Sequence, residues 1–198
     1  VTLRGVRLEP ELITSIYNDI MEDRLPVPLA SVPQHLVEAI LATEDRSFWK
    51  HEGISFRGIA RALVTDIKTG KWSTGGSPIT QQLVKNLYLN PERTFRRKAH
   101  EAIMALMLEA RYDKRLILEA YLNSIYLGHD GNVAVHGLGA AAQRFFGKDL
   151  SALELHEAAW LAGAIRAPNL LLHGTSAEAR KRRNAILTMM REDGRIDL

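Results

Sequence analysis

The chain has no cysteine among its 198 residues. That excludes a disulfide framework, a thiolate metal site and a cysteine nucleophile, and leaves the compartment open. No apolar run approaches the roughly 18–20 residues that cross a bilayer; the longest, residues 102–108, is short and flanked by charge. Charge of one sign is also scarce. Twenty-six basic against 23 acidic residues leave +3, short of the excess expected of a nucleic-acid binder but suited to an anionic partner. The Gly-Lys-Ser/Thr of a Walker loop, the Gly-x-Ser-x-Gly elbow, the dinucleotide fingerprint and His-Glu-x-x-His are all missing. Internal repeats and low-complexity tracts are absent. The chain opens on Val1 rather than Met, which leads us to expect a domain of a longer protein with an anchor upstream.

What is present reads as one domain of 198 residues, with 46% hydrophobic and 25% charged residues, enough to bury a core. Helical periodicity dominates. Leu36, Val37, Ile40 and Leu41 form a stripe that extends to Glu44 and Phe48; Phe56, Ile59, Ala60, Leu63, Val64 and Ile67 form another, ending at Gly70. A third holds Leu118, Tyr121, Leu122 and Ile125. Ser151 and Glu154 read as a capping box opening a helix towards Pro168, and Ser176 as the cap of a helix through Ile186, Leu187 and Met190, stopped by Gly194. Strand signals are confined to residues 1–8, so the fold class is all-α. The Gly-rich stretches 69–77 and 128–137 read as loops, either ordinary surface connections or ligand-facing flaps. Trp72, just after Lys68 and Lys71, suits a membrane interface.

Four groups of residues suit chemistry, each with a plainer reading beside it. Glu44, on the buried stripe, has the partial desolvation that makes a carboxylate an effective base; a half-exposed Glu at a helix end has the same spacing. Asp45 and His51 follow it. In Gly75, Gly76, Ser77 and Pro78, Ser77 suits an N-cap and Pro78 the first helical position, and the glycines admit a phosphate oxygen to the backbone. An ordinary capped helix would look alike, with Gln82, Lys85 and Asn86 on its polar side. Arg97 and Lys98 lie four and three residues before Glu101, able to hold a diphosphate or a metal bridging to one, or merely to form routine surface pairs. Glu119, Asn123 and Tyr126 make a polar stripe that serves equally as a structural network. The Ser47…Lys50 and Lys68-Thr69-Gly70 matches to transpeptidase motifs are coincidental, since about twenty residues cannot contain the fold that unites them.

Taken in order, these segments resemble the five motifs of the peptidoglycan glycosyltransferases, which occur alone or as the N-terminal halves of class A penicillin-binding proteins. Residues 44–53, Glu-Asp-Arg-Ser-Phe-Trp-Lys-His-Glu-Gly, are similar to the first motif and residues 75–86 to the second. Arg97-Lys98-Ala99-His100-Glu101 is similar to the third, 114–128 to the fourth, and Gly137-Leu138-Gly139-Ala140 with Phe146-Gly147-Lys148 to the fifth. The resemblance implies a lysozyme-like helical head with a smaller, mobile, membrane-proximal jaw at roughly residues 52–77. It implies polymerisation of lipid II into β-1,4-linked glycan with inversion and release of undecaprenyl diphosphate. Glu44 would be the general base, and Glu101 with Arg97 and Lys98 would serve the donor diphosphate, with Mg²⁺ or Mn²⁺ bridging to Glu101. Asp45, Phe48, His51, Ser77, Gln82, Lys85, Asn86, Glu119 and Asn123 would bind or support substrate. The implied partners are lipid II, the growing glycan chain, the membrane surface and moenomycin-type inhibitors, with no nucleic acid. The implied place is the extracytoplasmic face of a bacterial membrane, and a transpeptidase domain is a possible C-terminal neighbour.

Three departures stand out. Pro78 replaces the family's usual Thr, Phe145 its usual Tyr, and residues 170–173 lack its second proline. Two other functions share parts of this pattern: a lysozyme-like muramidase or lytic transglycosylase, which also needs a Glu in a helical fold, and a basic helical binding module using residues 96–98 and 180–183.

Overall fold

The computed structural model describes residues 15–17, 20–55, 77–88, 94–168 and 177–197. The second amphipathic stripe, Trp72, most of the jaw segment, the strand signals at 1–8, the Ser176 cap and residues 170–173 lie outside them. Among the described residues seven α-helices carry the fold, as the periodicity predicts. They are α1 (Gln34–Glu44), α2 (Ile79–Tyr88), α3 (Phe95–Arg111), α4 (Lys114–Ser124), α5 (Leu138–Phe146), α6 (Leu155–Ala164) and α7 (Ala177–Glu192).

α1 buries Leu36, Val37, Ile40 and Leu41 and packs against α6 and α7, while α2 packs against α3 and α4. Leu118, Tyr121, Leu122 and Ile125 of the α4 stripe are buried in the same continuous core. α7 places Ile186 and Met190 inward and stops before Gly194, whose φ of +66° is the left-handed conformation that ends helices.

Beside the helices lies a small sheet that the sequence reading does not anticipate. Its strands are β1 (Ser15–Tyr17), β2 (Ile20–Arg24), β3 (Tyr126–Asp130) and β4 (Val133–His136), in the order β1-β2-β4-β3. β2 runs parallel to β4 and the other pairs are antiparallel. The stretch 128–137, read as a loop, is therefore mostly hairpin. Asp130 pairs with Val133 around the two-residue turn Gly131-Asn132, and Gly131 takes φ +60°. The sheet is pinned to α5 at Gly139, where a Cβ would stand 2.3 Å from the Leu25 carbonyl oxygen. Arg144 adds ion pairs to Asp23 of β2 at 2.9 Å and Asp130 of β3 at 3.0 Å.

Three local expectations are corrected. The capping box of α6 is Glu154 with Glu157, three residues beyond Ser151, because Ser151 sits in a 3-10 turn at Leu150–Ala152. Glu157 also takes Lys148 Nζ at 2.7 Å. α1 ends at Glu44, and Phe48 stays in the core from a separate 3-10 turn, Phe48–Lys50. α2 begins at Ile79, and its first amide donates not to Ser77 but to Asp45 Oδ2 at 3.0 Å.

Candidate active site

The apolar face that seats α1 in the core carries Glu44 in with it, and 3% of that side chain is exposed. A buried carboxylate needs donors, and two meet it. Arg166 Nε lies 2.8 Å from Oε1 and Gln82 Nε2 lies 3.1 Å from Oε2. Arg166, from the turn after α6, also donates to the Thr43 carbonyl at 2.7 Å. One guanidinium thus serves an open carbonyl and places positive charge at the C-terminal end of α1. Gln82 is held on its other side by the Tyr121 phenol, which donates to Oε1 at 3.2 Å, and Nε2 also donates to the Ser77 carbonyl at 3.1 Å. The carboxylate fixes the amide orientation, since it can only accept. Burial first, and the Glu44 charge second, hold the Tyr121 phenol well above its ordinary range, so it remains a donor.

Asp45 faces another way. Its Oδ2 accepts from His51 Nε2 at 2.8 Å and from the Ile79 amide at 3.0 Å. The tautomer follows from the second nitrogen: Nδ1 accepts the Gly53 amide at 3.1 Å, so the proton of neutral His51 sits on Nε2. Phe48 is wholly buried and meets the His51 ring edge-on at 6.2 Å, which makes it a support beneath Asp45 and His51.

The second carboxylate comes from α3. Thr94 caps that helix on the Arg97 amide, and the spacing in its first turns brings Arg97 Nε to 3.0 Å and Lys98 Nζ to 2.7 Å from the two oxygens of Glu101. Glu101 is 2% exposed. Lys98 Nζ also donates to Ser77 Oγ at 2.8 Å. A polar path therefore runs from Glu44 through Gln82, Ser77 and Lys98 to Glu101, with Arg97 beside its far end.

The remaining expected residues fall elsewhere. Lys85 and Asn86 are exposed further along α2. Glu119 and Asn123 are spent on backbone: Glu119 Oε2 accepts from the Leu29 amide at 2.7 Å, and Asn123 both accepts from the Val27 amide and donates to its carbonyl. They hold residues 27–29 against α4, the structural alternative left open for that stripe. Arg166 and the Tyr121 hydroxyl are additions that sequence reasoning missed. Arg166 lies 122 residues from its partner, in the turn left where the helix expected to run towards Pro168 stops at Ala164, and Tyr121 reads in sequence as core alone.

A protein-held divalent ion does not suit this donor set. Both Glu101 oxygens already face cations, and among the described residues no group of three or more acidic or histidine side chains could hold a metal.

Comparison with known proteins adds the family. Residues 10–191 match the Transglycosylase family model. The chain is 45% identical over 192 residues to penicillin-binding protein 1B of Haemophilus influenzae, covering 96% of this chain and 24% of that one. It is 42% identical to penicillin-binding protein 1B of Escherichia coli, covering 96% and 23%. It is also similar to the crystal structure of penicillin-binding protein 1A from Haemophilus influenzae, with a TM-score of 0.46 and 27% identity over 89% of this chain and 16% of that one. The chain spans about a quarter of the length of these curated relatives. With a family match over nearly its whole length, the chain belongs to the transglycosylase family, as a peptidoglycan transglycosylase domain of the kind in class A penicillin-binding proteins.

Proposed function

We propose that this domain joins lipid II units into β-1,4-linked glycan by a single inverting displacement. The observation that carries the reading is the polar path linking a buried carboxylate, Glu44, to a cation pair held by a second one, Glu101. Glu44 takes the proton of the acceptor 4-hydroxyl as its oxygen bonds to the donor C1. The bond from C1 to the diphosphate oxygen breaks, and its electron pair leaves with undecaprenyl diphosphate. Arg97 and Lys98, oriented by Glu101, stabilise the charge growing on that oxygen, so no acid need protonate it. Arg166 and Gln82 fix the base, and each Glu44 oxygen keeps a second lone-pair direction for the acceptor hydroxyl. The positive charge at the donor end is already in place in Arg97 and Lys98. Pro78 lacks the hydroxyl of the family's usual Thr, and Ser77 Oγ, held by Lys98, is the hydroxyl nearest that position in sequence.

No described helix is long and apolar enough to cross a membrane. We place the domain on the extracytoplasmic face of a bacterial membrane because its substrate carries a lipid, with moenomycin-type phosphoglycolipids competing at the donor side. A transpeptidase domain in the same protein is the expected neighbour.

The test is polymerisation of labelled lipid II by the parent and by Glu44→Gln and Lys98→Ala. Loss of the base should slow turnover at least about a hundredfold, and Lys98→Ala should slow it with the fold intact. Full activity in Glu44→Gln would sink the assignment, and cleavage of finished glycan in place of joining would favour a muramidase.

A further inference from the structure

Lys114 breaks a local rule. It is the first residue of α4, where a cation opposes the helix dipole, and such conflicts concentrate at sites that serve function. The structure compensates it twice. Its Nζ lies 2.6 Å from Glu109 Oε1 and 4.5 Å from the centre of the Phe48 ring. Glu109, from the last turns of α3, has 6% of its side chain exposed, and the same Oε1 accepts the Thr80 hydroxyl.

Thr80 is the second residue of α2, in the turn that carries the polar path. Three consecutive side chains there point three ways, about 100° apart. Thr80 reaches Glu109, Gln81 donates to the Gly53 carbonyl at 3.3 Å, and Gln82 reaches Glu44. Positions 80 and 82 lie nearly opposite each other around the helix. A pull on Thr80 therefore sets how far Gln82 projects towards the base. From a further direction Asp45 holds the Ile79 amide, so two carboxylates bracket the N-terminus of α2, where negative charge is favoured. Gly53 closes the same corner: with φ +81°, it would place a Cβ 2.9 Å from the Ala105 carbonyl oxygen and 3.0 Å from Glu109 Cγ.

We propose that Glu109, acting through Thr80 and braced by Lys114, is a positioning residue for the transfer. It fixes the first turn of α2, and with it Gln82 on the base and Ser77 on Lys98. Neither Glu109 nor Thr80 hydrogen-bonds to Glu44 or Glu101. The kinetic side of this inference rests on the glycan-polymerising reading above.

The experiment compares Thr80→Val, which removes the hydroxyl at similar volume, with Thr80→Ser, which keeps it. With lipid II, Thr80→Val should lose about tenfold in kcat with KM changed less than about twofold, while Thr80→Ser stays within about twofold of the parent in both. Glu109→Gln should match Thr80→Val, and the double variant should lose no more than Glu109→Gln alone. Hydrogen exchange of the peptide covering residues 79–83 should quicken in Thr80→Val and not in Thr80→Ser. Equal kinetic losses in the two Thr80 variants, additive losses in the double variant, or unchanged exchange in Thr80→Val would overturn the proposal. If the parent makes no polymer, the polymerase reading falls, and exchange alone decides whether Glu109 and Thr80 set the turn. If Glu109→Gln does not fold, the Thr80 pair decides.

Discussion

Replacing Tyr121 with Phe should weaken the fold at neutral pH and spare it at alkaline pH, with the two proteins crossing in stability. The phenol is wholly buried and its one described hydrogen bond goes to Gln82 Oε1 at 3.2 Å. Phe fills the same space, so the loss near pH 8 is one net hydrogen bond with its acceptor left buried, about 1 kcal/mol. The alkaline term has the opposite sign. In the unfolded chain a tyrosine loses its proton near pH 10, whereas burial and the Glu44 charge hold the native phenol protonated well above that. Between those values the native state binds one proton more than the unfolded state. Wild-type stability therefore carries a contribution that is complete below about pH 10 and declines by about 1.4 kcal/mol per pH unit above it. Phe carries no such term, and groups that titrate in both proteins cancel. The deficit of about 1 kcal/mol should close just short of pH 11 and then reverse. Denaturant unfolding followed by tryptophan fluorescence at several pH values between about 8 and 11 reads this directly. A gap that stays constant with pH would refute the buried phenol. At neutral pH the variant should still polymerise lipid II within about tenfold of the parent, since both Gln82 amide donors remain.

Arg166→Leu should slow turnover by at least about tenfold, with Arg166→Lys intermediate because an ammonium cannot span Glu44 and the Thr43 carbonyl as a planar fork does. Its stability cost should be only about 1 kcal/mol, since 38% of the Arg166 side chain is exposed and water can take its place; undiminished turnover in the Leu variant would remove Arg166 from the site. Gly139→Ala should lower the melting temperature by about 4–12 °C, because a Cβ 2.3 Å from the Leu25 carbonyl oxygen forces β2 and α5 apart at about 2–3 kcal/mol; an unchanged melting temperature would show that this corner yields freely. Chelation by EDTA should leave polymerisation within about twofold of the untreated rate, given that Arg97 and Lys98 already supply the charge. A rate lost completely and restored by Mg²⁺ or Mn²⁺ would contradict that.

The parts of the molecule legible in sequence are those where one helix does the arranging. Ile40 to Glu44 is one turn, so the face that buries the first delivers the second; Arg97, Lys98 and Glu101 meet because three and four residues are one turn of α3. Contacts between distant elements left no such trace. The Arg166 guanidinium reaches Glu44 from a turn after α6, and Tyr121, one of four apolar-stripe residues on α4, reveals its hydroxyl only when Gln82 is seen opposite. The hairpin at 126–136 was missed for a different reason. Glycines at 128, 131 and 137 outweighed the short Val133-Ala134-Val135 run, although Gly131-Asn132 is a two-residue hairpin turn and β4 gains its stability from β2, more than a hundred residues earlier. Glu119 and Asn123 lie between the two cases: the stripe itself reads as a structural network, and the structure supplies its partner, the backbone of residues 27–29.

Glu44 and Asp45 have different tasks despite being neighbours, and the end of α1 explains how. Were the helix to continue, Asp45 would project from α1 about 100° around from Glu44. Instead Asp45 leaves helical geometry, with φ −157° and ψ 82°, while its amide still closes the last turn onto Leu41. The first carboxylate stays with the buried face of α1 and meets Gln82. The second swings out to the N-terminus of α2 and satisfies an amide that the helix itself cannot. Both acids therefore act on one helix, Glu44 against the side of its first turn and Asp45 against its end, and Lys98 reaches Ser77 just ahead of it. α2 becomes the common wall between base and cation pair, so a shift of that single turn would disturb both ends of the proposed displacement together.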